Sequence, residues 1–241
     1  MDSQNKQIFI LAGQSNMSGR GGVDKNKIWD GVVPAESSAD AAKIFRLGPD
    51  HRSWEAAAEP LHQGLDSNRV CGVSPGMAFA NAVKERVGAV GLVPCAVAGT
   101  AIKDWARGME PYENLVRRAK AAAASGGGEI KALLWYQGEK DTFTAEDAAV
   151  YKEKTEQLIL NVRQDLDLPS LPVVLVALPS GRAYLEKVRE IQKRGIELPN
   201  VVCVDAMGLP LEEDNLHITT EAHVKLGIML ANSYLTHFVP K

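Results

Sequence analysis

Apolar residues in this chain come in short unbroken runs, separated by longer stretches whose apolar positions recur at helical spacing. The first run, Ile8 to Ala12, stops at Gly13 and gives way to the small and polar residues "QSNMSGRGG". Four more runs follow, "VGLVPCAV", "IKALLWYQG", "PVVLVALP" and "NVVCVDAM". The stretches between and after them predict helices. These are "GMAFANAVKERV" behind Pro75, "YENLVRRAKAAAA", a long one from about Thr144 to Leu166, Tyr184 to Arg194, and "TTEAHVKLGIMLANSYL". The glycines at 126 to 128 stop the second of these, and "TAED" offers the third a capping-box start. A run with no polar face suits a strand buried on both sides. Five such strands alternating with helices predict an α/β fold built on a parallel sheet of about five strands.

Residues 20–74 break the alternation. They hold one strand-like run, "KIFRL", together with Trp29, Trp54 and the segment "WEAAAEPLHQG". A long irregular insertion in a compact domain is more often functional or lid-like than idle. No internal repeat or low-complexity linker divides the chain, and "AAAASGGG" reads as a helix end and turn. Ligands of open α/β sheets bind beyond the carboxyl ends of the strands. The segments to inspect are therefore 13–22, 98–105, 137–142, 179–182 and 207–217.

Composition narrows the class. The 241 residues are 45% hydrophobic, which suits one globular domain over residues 1–241. Net charge is −3 and no Lys/Arg block stands out, so neither a nucleic-acid nor a membrane partner is expected. No apolar run approaches the ~18 residues of a membrane span. No basic segment with a following apolar stretch precedes the first strand, which points to a cytoplasmic location, a secreted mature form being the alternative. Cys71, Cys95 and Cys203 lack metal-ligand spacing, and the last two sit in strand-like runs as reduced, buried thiols.

The glycines around Ser15 fit no nucleotide site. A phosphate loop requires a Gly-Lys-Ser/Thr ending, and Gly19 is followed by Arg20. A dinucleotide fingerprint requires glycine at position 15. The nucleophile elbow of α/β-hydrolases requires glycine where Met17 stands. Ser15 or Asn16 can cap the following segment; alternatively Ser15 is a nucleophile, which needs a base and a group to orient it. Of the five histidines, His217 lies at a strand exit, in "EEDNLHIT", with Asp214 three residues before it. His51, His223 and His237 carry no motif and are read as surface or helix residues.

"GQSNMSGRG", "VPCAVAGTAIKDW", "LLWYQGEKDT" and "DNLHIT" together, in this order along nearly the whole chain, resemble the SGNH-hydrolase superfamily. Within it they are similar to the carbohydrate esterase branch of sialate O-acetylesterase-like and acetylxylan-esterase-like proteins, plant members included. The resemblance implies a three-layer α/β/α sandwich of flavodoxin-like type. It further implies a serine esterase that removes acetyl groups from carbohydrate hydroxyls. Ser15 would be the nucleophile, His217 the base and Asp214 its orienting carboxylate. Ser15, Gly99 and Gln137 would form the oxyanion hole, Gln137 replacing the superfamily's asparagine. Gln14 departs from the "GDS" of the wider superfamily, as in this branch.

The implied substrate is a small-molecule or oligosaccharide acetyl ester, and the chemistry calls for no metal or organic cofactor. Around this set, Glu139 stands two residues after Gln137, on the same side if the strand continues. Arg20 follows the nucleophile, His62 lies in a segment resembling the active-site side of the branch, and Trp105 and Trp54 are candidates for a sugar-stacking wall or for core. The competing readings are a lipase or thioesterase of the same superfamily, and a non-catalytic carbohydrate-binding relative. The chain shows no long apolar lid helix for large lipid substrates.

Overall fold

The computed structural model describes residues 5–66, 69–124 and 128–240. Seven strands form one sheet: β1 (Lys6–Gly13), β2 (Ile44–Leu47), β3 (Trp54–Ala56), β4 (Val90–Pro94), β5 (Gly128–Tyr136), β6 (Val173–Ala177) and β7 (Val201–Asp205). Their order is β3-β2-β4-β1-β5-β6-β7, parallel throughout except for the antiparallel edge pair β2–β3. The five expected strands form its continuous body. The insertion contributes two more, because "KIFRL" pairs with β4 on one side and turns back through β3 on the other.

Among the described residues, six α-helices complete the layers: α1 (Ser15–Ser18), α2 (Pro75–Val87), α3 (Glu110–Ala122), α4 (Ala145–Asp165), α5 (Leu185–Glu190) and α6 (Thr220–Phe238). Helices α2 and α6 pack together, and their Phe79 and Tyr234 meet Phe9 of β1 edge-on at 4.9 and 5.0 Å. Both parities of β1, Ile8 and Ile10 as well as Phe9 and Leu11, are fully buried. The sheet is therefore covered on both faces, the α/β sandwich that unbroken apolar runs require. Helix α4 opens as the sequence suggests, Thr144 Oγ1 accepting from Asp147 N–H at 3.1 Å. Asp147 does not complete a reciprocal box; it accepts from the Thr144 hydroxyl and pairs with Lys103. Of the helix stop expected at 126 to 128, Gly126 and Gly127 lie outside the described residues. Among the described residues no helix is long and apolar enough to cross a membrane.

β1 occupies the middle of the sheet, with β4 and β5 as its neighbours. The chain leaves β1 to one side and returns to the other, so the exits of three adjacent strands diverge there and leave a crevice. Gly13 closes β1 at φ +134°, and a Cβ on it would lie 1.9 Å from the Tyr136 carbonyl oxygen of β5. That carbonyl instead accepts the Gln14 N–H at 2.9 Å. Only glycine allows the strand end and its neighbour to approach so closely before the chain turns into α1. Gly13→Ala should therefore part β1 from β5 and cost more than ~1 kcal/mol. A urea midpoint lowered at unchanged slope would register it, and an unchanged midpoint would refute this account of the turn.

Candidate active site

The turn after β1 places Ser15 as the first residue of α1, and the loop after β7 brings His217 to it. His217 Nε2 lies 2.9 Å from Ser15 Oγ, and His217 Nδ1 lies 2.5 Å from Asp214 Oδ2. Local backbone geometry explains the second contact. Asn215 takes φ +53°, which asparagine tolerates, and the tight turn lets Asp214 Oδ1 accept the N–H groups of Leu216 and His217, both at 2.9 Å. Partial burial pushes the Asp214 carboxyl up, but those backbone donors and the imidazole outweigh it and hold it below the ordinary carboxylate value. Neither Ser15 nor Asn16 caps α1. The Ser15 hydroxyl faces His217, and Asn16 is engaged elsewhere.

Asn16, fully buried, is a residue the sequence reading missed as part of the site. Its Nδ2 donates to Glu139 Oε1 at 2.8 Å and to the Leu216 carbonyl at 3.3 Å, and its Oδ1 accepts Ile218 N–H at 3.1 Å. Ser180, at the exit of β6, also donates to the Leu216 carbonyl, at 2.6 Å. The turn that carries Ser15, the β5 exit and the loop that carries His217 are thus joined through one amide. A polar residue beside Ser15 was visible in the sequence; its partners, up to 202 residues away, were not.

A cavity of about 570 Å³ opens over Ser15 and His217, with Gly99 and Ala98 on one wall, Glu139 and Lys140 on another, and Arg20 and Val23 from the insertion on a third. Gly99 takes φ +75°, and a side chain there would meet open space. Neither the Ser15 N–H nor the Gly99 N–H is bonded to an acceptor among the described residues. The insertion is a wall of the site and an extension of the sheet. Lys25, Lys27 and Arg69 bring positive charge to the cavity, opposed by Asp24 and Glu212.

Gln137 does not stand where the resemblance implies. Its Nε2 donates to the Thr100 carbonyl at 3.0 Å and to Asp141 Oδ2 at 2.6 Å, and the side chain does not line the cavity. The reason is the break in β5. The strand ends at Tyr136 and Gly138 takes φ +135°, so Gln137 and Glu139 do not share a side. Asp141, also missed in the sequence, uses both oxygens to accept Ile102 N–H at 3.0 Å. Gln137 and Asp141 together brace the segment that follows Gly99.

Other candidates prove structural. Trp105 is fully buried, donates from Nε1 to Thr100 Oγ1 at 3.0 Å and packs edge-on against Trp135 at 5.0 Å, so it is core and not a sugar-stacking wall. Trp54 belongs to edge strand β3, against Gly91 and Lys6, away from the cavity. The aromatic side chain at the cavity is Phe143, 44% exposed, with Lys140 and Arg182 over its ring. His62 is buried and its Nε2 accepts Ala96 N–H at 3.2 Å; burial and nearby arginines push it down to about 3, so it stays neutral behind the β4 exit. His223, read as a surface or helix residue, is a buried residue of α6 whose Nε2 accepts Arg20 N–H at 3.4 Å. Arg20 lines the cavity, but its guanidinium is tied to the Gly19 and Val70 carbonyls and to Asp66 at 3.2 Å. Asp66 in turn accepts from Ser18 and Ala98. Cys71 and Cys95 are buried and Cys203 half-buried, all three unpaired.

Among the described residues no group of three or more His, Cys, Asp or Glu side chains is placed to hold a metal ion. The site is a polar crevice at strand exits, with a serine hydroxyl, an imidazole and a carboxylate in a row. The chain belongs to the carbohydrate esterase family described as sialic acid-specific acetylesterase, whose model matches residues 5–236, and it is a carboxylic ester hydrolase. It is 55% identical over 241 residues to a probable carbohydrate esterase of Arabidopsis thaliana, covering 96% of this chain and 91% of that protein. A crystal structure of an Arabidopsis thaliana protein superimposes with a TM-score of 0.93 at 54% identity, covering 98% of this chain and all of the other. Farther off, NanS shares the fold with a TM-score of 0.72 at 16% identity, covering 96% of this chain and 97% of that one. A carbohydrate acetylesterase from Xanthomonas citri does so with a TM-score of 0.67 at 20% identity, covering 95% of this chain and 56% of that one.

Glu139 carries a consequence for stability. Burial raises its carboxyl from an ordinary value of 4.5 to about 7, against the lowering effect of the Asn16 amide. The folded chain therefore holds this proton more tightly than the unfolded one, so stability falls as pH rises from about 4.5 to about 7 and is not lowered further above it. Glu139→Gln keeps an acceptor for Asn16 and removes the ionisation. Its unfolding free energy, measured in urea between pH 5 and pH 8, should decline less steeply than the wild type's, by up to ~1.4 kcal/mol per pH unit. Parallel declines would refute the assignment.

Proposed function

We propose that this protein deacetylates carbohydrate hydroxyls through Ser15, His217 and Asp214, acting as a single domain. The observation that carries the reading is the unbroken line from Asp214 Oδ2 through the imidazole to Ser15 Oγ, at 2.5 and 2.9 Å. Ser15 Oγ attacks the ester carbonyl carbon while His217 Nε2 takes its proton. Asp214 holds the other ring nitrogen as the proton-bearing one and stabilises the imidazolium. The tetrahedral intermediate collapses with proton transfer from Nε2 to the departing sugar oxygen, leaving an acetyl-Ser15 ester. Water, deprotonated by His217, then releases acetate. The unbonded N–H groups of Ser15 and Gly99 support this reading, since the carbonyl oxygen gains charge at each addition and needs donors. The polar rim and the exposed face of Phe143 suit a hydroxyl-rich alcohol portion, whose sugar C–H faces stack on aromatic rings.

Two measurements test the proposal. A fluorophosphonate should label Ser15 stoichiometrically, and Ser15→Ala should abolish labelling and lower kcat for an acetyl ester by as much as ~10⁶-fold. Turnover retained by Ser15→Ala would end the assignment. Acyl length separates a deacetylase from a lipase or thioesterase. Exclusion of each methylene from a small pocket changes the barrier by ~1–3 kcal/mol, so aryl acetate should be hydrolysed well ahead of butyrate and octanoate, and acetylated sugars should release acetate. Octanoate preferred over acetate would remove the carbohydrate reading while leaving the serine chemistry intact.

A further inference from the structure

Gln14 stands directly before Ser15 and its side-chain amide is held at one end. Oε1 accepts the backbone N–H of Lys140 at 3.4 Å, which anchors the amide to the β5 exit and identifies the oxygen end, because an N–H there requires an acceptor. Nε2 makes no hydrogen bond among the described residues, yet it is not sealed from solvent. The residue is 3% exposed and lines the cavity together with Ser15 and Gly99. An amide donor thus remains free in the cavity lining, next to the serine.

Gln137 presents the opposite case. Both hydrogens of its Nε2 are committed to acceptors, the Thr100 carbonyl and the Asp141 carboxylate, and its Oε1 is buried without a partner. Turning the amide over would set Oε1 against a carbonyl and a carboxylate. No orientation that keeps the bracing of Thr100 offers a donor to the cavity.

We propose that the Gln14 amide is the third oxyanion donor of this esterase and that Gln137 is a positioning residue for the Gly99 loop. The proposal rests on Ser15 being the nucleophile. As Ser15 Oγ forms its bond to the carbonyl carbon, the π pair moves onto the carbonyl oxygen. The N–H groups of Ser15, Gly99 and Gln14 Nε2 then share that charge. When the pair returns, the bond to the sugar oxygen breaks and His217 supplies its proton. Gln137 acts at a distance, by tying Thr100 and, through Asp141, Ile102.

The test compares an aryl acetate with its thionoacetate, in which sulfur replaces the carbonyl oxygen. Sulfur is a weak acceptor, so the oxygen-to-thiono ratio of kcat/KM reports how strongly the donors act on the anion. In the full-length chain, Gln14→Ala should lower kcat for the oxygen ester by ~10²–10³-fold with little change in KM, and should reduce the ratio. Gln14→Met, near in volume and without a donor, should do the same if the alanine variant folds poorly. Gln137→Ala keeps the Gln14 donor and reaches the Gly99 N–H only through the loop, so it should reduce the ratio less than Gln14→Ala does, even where it lowers thermal stability. An unchanged ratio in the Gln14 variants, a rise in KM alone, or a ratio reduced more by Gln137→Ala than by Gln14→Ala would overturn the proposal. Stoichiometric fluorophosphonate labelling of Ser15 in wild type and variants keeps these outcomes separate from a failure of the serine assignment itself.

Discussion

One buried side chain, Asn16, decides whether the rest of the site exists. Its carboxamide bonds Glu139, the Leu216 carbonyl and the Ile218 N–H, so three strand exits share a single rigid plane. The carboxylate of Asp214 is half-exposed, and the loop that carries it is closed by a bridge between Leu211 and Ile218 and by the Glu212 N–H donating to the His217 carbonyl at 2.7 Å. The Asn16 bonds on either side of His217, at Leu216 and Ile218, tie that closed loop to the turn of Ser15. A buried amide with every partner made is rigid, and one with a partner missing is costly, which makes this contact all-or-none.

A second constraint orders the opposite wall. The Gly99 segment leaves the sheet after Val97, whose N–H still donates to the Gly13 carbonyl at 2.9 Å, and it is gripped from two sides. Asp66 reaches Ala98 from the insertion while also holding Ser18 and Arg20. Gln137 and Asp141 reach Thr100 and Ile102 from β5. Burial pushes Asp141 up to about 6, although Gln137 and the Ile102 N–H pull it down, so part of the folding free energy is given over to keeping carboxyls inside. Preorganised donors are worth most in such a dry setting, because they need no rearrangement when charge develops on the substrate. The insertion thus contributes rigidity to this wall of the site.

Much of this architecture was legible in the residues. Unbroken apolar runs such as Ile8 to Ala12 have no solvent face, and only a sheet covered on both sides can house five of them. The strand-exit rule then puts Ser15, Gly99, Asp214 and His217 on one edge. The edge pair β2–β3 was half legible, because Trp54–Ala56 is three residues long and carries no pattern of its own. Glu139 faces the cavity and Gln137 does not, because side-chain direction after a strand end depends on local backbone angles, as the positive φ of Gly138 shows, and of the two readings open for Trp105 the structure takes core.

The amino-acid sequence by itself determined the layers, the family and the edge of the sheet at which chemistry takes place, since these follow from hydrophobic periodicity and from short motifs that act locally. Tertiary structure alone decided which polar groups face the cavity and which are consumed in holding it. Gln14 and Gln137 are the same residue type in neighbouring strand exits. One is tied by its oxygen and the other by its nitrogen, and that choice rests on acceptors and donors, Lys140 for the first and Thr100 and Asp141 for the second, that only the folded chain brings within 3.4 Å.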